Sequence, residues 1–377
     1  MFCRRVLKGR WLSLLVVALA LAGCSGTPQK IKPTELGPNP GLLGVRLAWS
    51  AQIGTVDFPL DIKVNGEQIT LADGDGAVAQ LDARTGAALW RGNVQSPVGA
   101  GVGNDGRLAA VLTRGNELVA MASGRELWRQ QVSAQGFTAP LVAGGRVFLL
   151  TADRGVSAFD AATGRKLWSQ QRPGDALVLR QSGVLLAVND TLVVGLGGRL
   201  TGLNPGNGSI RWEAPLASPR GTNDVERLVD LVGPVSRDGD VVCARAFQAA
   251  VGCVNAARGS LMWTRSASGA VGLHGDSRSV FGVEGDGRVV AWRRSDGQPA
   301  WTSDQLRYRD LSAPLAVGRA VAVGDGAGWV HWLSREDGAL LTRMPTDGSA
   351  VVSAPVLAGG TVVVVTRRGG VFGFRPD

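Results

Sequence analysis

The sequence predicts an all-β chain: an eight-bladed β-propeller with four antiparallel strands per blade, its ring closed by the N-terminal strand in the last blade. Three observations predict it. The unit Gly-x-x-x-Trp recurs at Gly86/Trp90, Gly124/Trp128, Gly164/Trp168, Gly208/Trp212, Gly259/Trp263 and Gly297/Trp301, with a seventh copy at Gly338 that carries Thr342 in the tryptophan position. Its spacing of 38 to 51 residues lies in the range that marks a repeat architecture. The runs between these units, such as Arg146-Val-Phe-Leu-Leu-Thr151 and Thr361-Val-Val-Val-Val-Thr366, are rich in β-branched and aromatic residues and bounded by turn formers. Lastly, the two ends complement each other. Val45-Arg-Leu-Ala-Trp49-Ser is a tryptophan strand with nothing before it, and the chain finishes on three strands around Ser353–Val356, Thr361–Val365 and Val371–Phe374. Pairing them closes the ring and removes two exposed edges.

Ala152 to Trp168 displays one unit in full: a turn, a short strand, the turn Asp160-Ala-Ala-Thr-Gly164, and a strand carrying the tryptophan. About 42 residues per repeat hold four strands and their turns, which is one blade. No stretch beyond residue 24 sustains the i, i+3, i+4 apolar spacing of a helix. A single blade cannot bury both of its faces, so the seven internal units and the composite one stack radially.

The chain starts with a segment outside this pattern. Residues 1–23 read as a secretory leader: Arg4, Arg5, Lys8 and Arg10 precede the apolar run Trp11 to Leu21, which is too short for a mature transmembrane helix. Leu21-Ala-Gly-Cys24 follows. Residues 24–44, through Pro38-Asn-Pro40-Gly, are Pro/Gly-rich and polar, the composition of a flexible tether. Residues 45–377 are the propeller.

Charge and chemistry narrow the function. The formal net charge of +9 falls to +5 once the four basic residues of the leader are removed. The remaining cations are interspersed with carboxylates and form no phosphate-tracking patch, which argues against nucleic acid. His274 and His331 have no metal-ligand spacing, and no nucleophile elbow appears. Gly101-Val-Gly-Asn-Asp-Gly106 is followed by the strand Leu108-Ala-Ala-Val-Leu where a dinucleotide fingerprint needs a helix. Asp73-Gly-Asp75-Gly lacks the rest of a calcium loop and reads as a hairpin turn. Cys243 and Cys253 fall on two strands of one hairpin, either as a cross-strand disulfide or as two small buried apolar residues. No catalytic, cofactor or metal set emerges.

The repeat units Leu71 to Trp90 and Val147 to Trp168 resemble pyrroloquinoline-quinone-type propeller repeats. In quinoprotein dehydrogenases of that type the repeated tryptophans dock neighbouring blades. Those enzymes also carry an adjacent cysteine pair and long insertions, and this chain has neither, so a dehydrogenase or another periplasmic binding module is the alternative. Leu21-Ala-Gly-Cys24 resembles the lipobox of bacterial lipoproteins, which implies lipid on Cys24. With Ser25 next, the resemblance implies the outer membrane, facing the periplasm. Lipobox, tether and bare propeller together resemble the BamB family of the β-barrel assembly machinery. Two loops carry the likeness further: Asp175-Ala-Leu177-Val-Leu179-Arg180-Gln-Ser182 and Glu226-Arg-Leu-Val-Asp230-Leu-Val-Gly-Pro234. The resemblance implies a non-catalytic scaffold that binds periplasmic POTRA domains of BamA through Leu177, Leu179, Arg180 and Asp230. It also implies indirect contact with other components, and blade edges that accept strands of unfolded outer-membrane proteins. Val232 falls near the place of a second family aspartate.

Read without the family, these loops belong to the two longest intervals, Trp168 to Trp212 and Trp212 to Trp263, and extra residues in repeat proteins enter loops on one face. Arg180 offers a planar fork to a carboxylate beside leucine anchors. Alternatively, Leu177 and Leu179 fill the core and Arg180 caps a turn, or Arg180 and Asp230 pair and brace the two loops.

Overall fold

Eight four-stranded antiparallel sheets follow one another around a ring. The computed structural model describes residues 31–172, 177–219, 222–223 and 227–377. Blades 1 to 7 are built from consecutive strands spanning 63–93, 103–131, 141–171, 185–215, 231–266, 274–303 and 315–345. Blade 8 takes its outer strand, Val45–Gln52, from the start of the chain and three strands from 356–376. Val45 pairs with Pro376 and Gln52 with Gly370, so the closure expected from the two chain ends is present.

Blade 3 shows how sequence makes a blade. Gly144 and Gly145, both at positive φ, turn the inner strand Leu141–Ala143 into Arg146–Leu150. In the turn after Gly155–Asp160, one Asp160 carboxylate oxygen accepts the amides of Ala162 and Thr163 and the Thr163 hydroxyl, which closes an Asx-type turn. The middle strands are apolar on both faces, as in Val147, Phe148 and Leu149, and all three are buried. They lie between neighbouring blades, so the hydrophobic effect acts on both sides of the sheet. The core therefore sits between blades. One cluster joins Trp49 and Val363 of blade 8 to Ile69 and Leu81 of blade 1 and Val119 of blade 2.

All eight outer strands carry a β-bulge beside the tryptophan position, as between Ala158/Trp168 and Phe159/Lys166. The extra residue bends the strand and re-aims its side chains. At six joints the tryptophan meets the next blade's turn glycine: Trp49 on Gly86, Trp128 on Gly164, Trp168 on Gly208, Trp212 on Gly259, Trp263 on Gly297 and Trp301 on Gly338. At five of them the indole N–H donates to a turn carbonyl three residues before the glycine, at 2.7–2.9 Å: Ala83, Ala161, Pro205, Arg294 and Arg335. This is the blade-to-blade docking that the repeat resemblance implied.

The two exceptions have structural causes. Blade 2 has only Ser123 and Gly124 between its outer two strands, so no such carbonyl is available, and Trp90 donates to Gln80 of its own blade at 2.8 Å. Blade 8 has no turn at all at that point, because the chain ends meet there: the Asp377 amide donates to Gly44. Thr342 replaces the tryptophan at this joint, and residues 34–44 lie against it. The Leu42 amide donates to Leu341 at 2.8 Å. Asn39 accepts from the Arg343 amide and donates to the Arg343 carbonyl. Leu43 is buried with Leu315 and Trp332 of blade 7 and Phe374 of blade 8. Thr34 bonds Arg307 and Arg309, and Leu36 packs against a cluster that includes Leu306 and Leu333. From Thr34 onward, the segment expected as free tether is thus a strap fastened to blade 7. The leader, Cys24 and residues 24–30 lie outside the described residues.

Among the described residues no helix is long and apolar enough to cross a membrane. Cys243 and Cys253 are opposite each other in register and joined as a disulfide, with both side chains fully buried. Asp73 accepts the amides of Asp75 and Ala77, so the Asp73-Gly-Asp75-Gly segment is a capped turn.

Candidate partner-binding site

The segments ahead of blades 4 and 5 converge on one groove. Residues 177–184 precede the strand Leu185–Val188 and residues 227–230 precede Leu231–Asp238, so the two long intervals of the sequence place their extra residues side by side. The groove encloses about 410 Å³. Leu177, Leu196, Ile210, Leu228 and Val229 supply its apolar surface, and Arg154, Arg172, Arg199, Arg227, Glu213 and Asp230 its charges. Among the described residues its lining holds four cations and two carboxylates.

The four expected residues separate into distinct roles. Leu177 is 39% exposed on the groove wall. Leu179 is half-buried and lines a smaller adjoining pocket with Asp230. Neither leucine lies in a strand or in a hydrophobic core cluster, so the core-filling alternative does not hold. Arg180 is exposed, and it does not pair with Asp230. Among the described residues, Asp230 forms its ion pair with Arg154 at 3.2 Å, with both side chains more than four-fifths buried, and its second oxygen accepts the Leu179 amide at 3.2 Å. Asp230 therefore braces the two loops, but through a backbone amide and a different arginine. A largely desolvated carboxylate needs such partners, since burying it unpaired costs several kcal/mol in order-of-magnitude terms. Val232 is buried on the strand Leu231–Asp238 opposite Arg245 and lines the smaller adjoining pocket, not the groove.

Arg154, Arg172, Arg199 and Ile210 were not singled out by sequence. Arg154 sits in the turn after Arg146–Leu150 at φ +63°, 76 positions from its partner, and only the ring geometry brings them together. The available signal was weak: a bulky non-glycine residue at a left-handed turn position.

No group of three or more metal-ligating side chains occurs among the described residues. The histidines have structural roles. Nδ1 of His274 accepts the Ala316 amide at 3.1 Å, tying blade 6 to blade 7. Nε2 of His331 meets Asp325 at 2.9 Å, and Arg309 binds the same carboxylate at 2.8 Å. Burial holds both imidazoles below their ordinary pKa, with Arg294 adding to the effect at His274.

The comparisons agree with this architecture. Residues 74–303 match the family model described as "Outer membrane protein assembly factor BamB". The chain is 38% identical over 363 residues to the Burkholderia pseudomallei protein of that name, covering 95% of each. In fold it is similar to the crystal structure of BamB from Moraxella catarrhalis, with a TM-score of 0.80 at 23% identity, covering 88% of this chain and all of that one. The quinohemoprotein alcohol dehydrogenase of Comamonas testosteroni is more distant, with a TM-score of 0.68 at 16% identity over 89% of this chain and 77% of that one. A shared propeller does not transfer activity, and the close sequence relatives are named as assembly factors. The chain belongs to the BamB family of outer membrane protein assembly factors.

Proposed function

We propose that this chain is a non-catalytic scaffold that binds BamA through the groove between the segments ahead of blades 4 and 5, with Leu177, Leu179, Arg180 and Asp230 as its contact and bracing residues. The observation that carries the reading is Leu177: a large apolar side chain held exposed on the wall of a groove rich in arginines. Exposed apolar anchors ringed by polar groups mark interaction sites, and an arginine-rich rim fits a partner carrying carboxylates. In this reading lipid on Cys24 holds the chain at the outer membrane, facing the periplasm. The scaffold then acts by raising the local concentration of its partner and fixing its orientation.

The test is recovery of BamA with the solubilised protein. Leu177→Asp and Arg180→Ala are expected to lose most of the BamA recovered with wild type while keeping the wild-type melting temperature. Equal recovery from all three proteins overturns the site. Cys24→Ala is expected to move the protein from the membrane to the soluble envelope fraction, and retention in the membrane overturns the anchor.

A further inference from the structure

We infer that Asp61, on the segment leading into blade 1, is a positioning residue for the partner-binding loop ahead of blade 4. The inference rests on the groove being the partner site.

Residues 177–184 contain no strand, so their place is set by hydrogen bonds to other segments. Among the described residues, several bonds come from nearby blades. Asp230 accepts the Leu179 amide, the Thr138 hydroxyl accepts the Gly183 amide at 2.9 Å, the Ser182 carbonyl accepts the Gly233 amide at 2.8 Å, and the Val184 carbonyl accepts the Gly195 amide at 2.9 Å. A further one comes from 121 positions away in the chain: the Ser182 hydroxyl donates to Oδ2 of Asp61 at 2.6 Å. That length lies within the normal range of O–H···O hydrogen bonds.

Asp61 is itself held in place. Its carboxylate lies near the Ala139 backbone and Lys63. Its backbone runs so close to Gly101 that a Cβ on that glycine would fall 2.6 Å from the Asp61 nitrogen. Burial raises its pKa, and Ser182, Ala139 and Lys63 act against that rise. Asp61 lines the central opening of the ring with Ser182 and is absent from the groove wall. Any effect it has on a partner in the groove therefore passes through Ser182. A loop fixed in its binding geometry lowers the entropy lost on association. Releasing it reduces the competent fraction and weakens the apparent affinity in proportion.

The experiment uses the full-length chain, with the periplasmic region of BamA as probe. Ser182→Ala and Asp61→Ala are each expected to weaken binding about tenfold, and the double variant no further than either single, because both remove one bond. Ser182→Thr, which keeps the hydroxyl, is expected to bind within about twofold of wild type. Amide exchange at Leu179 and Gly233 should accelerate in Ser182→Ala, with blade 7 unchanged. Wild-type affinity in Ser182→Ala, or losses that multiply in the double variant, overturns the positioning role. Unchanged exchange at Leu179 and Gly233 overturns it as well, whatever BamA does. Failure of the wild type to bind BamA overturns the partner assignment instead, and the exchange data still decide whether Asp61 holds the loop.

Discussion

The glycine of each repeat answers two demands at once, and they can be measured apart. Gly297 sits at φ +71°, and a Cβ there would approach the Trp263 ring to 2.3 Å. Gly66 has a similar φ of +60° with nothing within 4 Å. Alanine at Gly66 adds only the left-handed backbone strain, about 1–2 kcal/mol. Alanine at Gly297 adds overpacking of about 1–3 kcal/mol on top. Gly297→Ala should therefore lower the urea midpoint by clearly more than Gly66→Ala, and equal midpoints would mean that the indole contact is not selective for glycine. Trp263 is 6% exposed and donates to Arg294 at 2.7 Å. Its replacement by alanine removes both packing and bond, an expected loss of about 3–5 kcal/mol on the same measurement.

At the scale of elements, the joint without a tryptophan is the informative one. Its indole is replaced by Thr342, and the strap from Thr34 to Leu43 lies over the same edge of blade 7. Asn39 behaves there as a side-chain stand-in for a strand, accepting from and donating to the backbone of Arg343. Asn39→Ala removes both bonds and the longer one from the Thr342 hydroxyl at 3.4 Å, at about 1 kcal/mol net. Exchange of the Leu42 amide should speed up about fivefold, with the amides of blades 2 to 5 unchanged. An unaltered Leu42 rate would show that Leu36 and Leu43 hold the strap without Asn39. The strap was not legible in the sequence because a Pro/Gly-rich polar stretch reads as unpacked, and its docking uses backbone groups and isolated leucines that have no period. The blades were legible because each is local: the tryptophan, the glycine and the Asx turn recur within one unit. The groove was legible only in part. Chain length marked both loops, but the Arg154–Asp230 pair joins residues in different repeats, and no local pattern encodes which blades become neighbours.

At the scale of the whole molecule, the ring distributes its ionisable groups so that mild acid acts through very few of them. The chain has only two histidines, in adjacent blades, and both have their pKa depressed by burial from the ordinary 6.5. A base whose folded pKa lies below its unfolded one binds fewer protons when folded. Stability is therefore whole above the unfolded pKa and falls as the pH drops through 6.5, by at most about 1.4 kcal/mol per histidine per pH unit. Asp325, held below the usual carboxylate range by His331, the Trp329 amide and Arg309 against the opposing effect of burial, adds a loss of the same sign at lower pH. Asp61, raised by burial, acts in the opposite sense, gaining stability as it protonates. Between pH 7.5 and 5.5 the histidines should dominate, so the wild-type urea midpoint should fall across that window. In the His274→Gln/His331→Gln variant it should stay nearly flat, whatever its starting value. An equal fall in both proteins would place the acid sensitivity on carboxylates and refute the assignment of buried neutral imidazoles to the joints of blades 6 and 7.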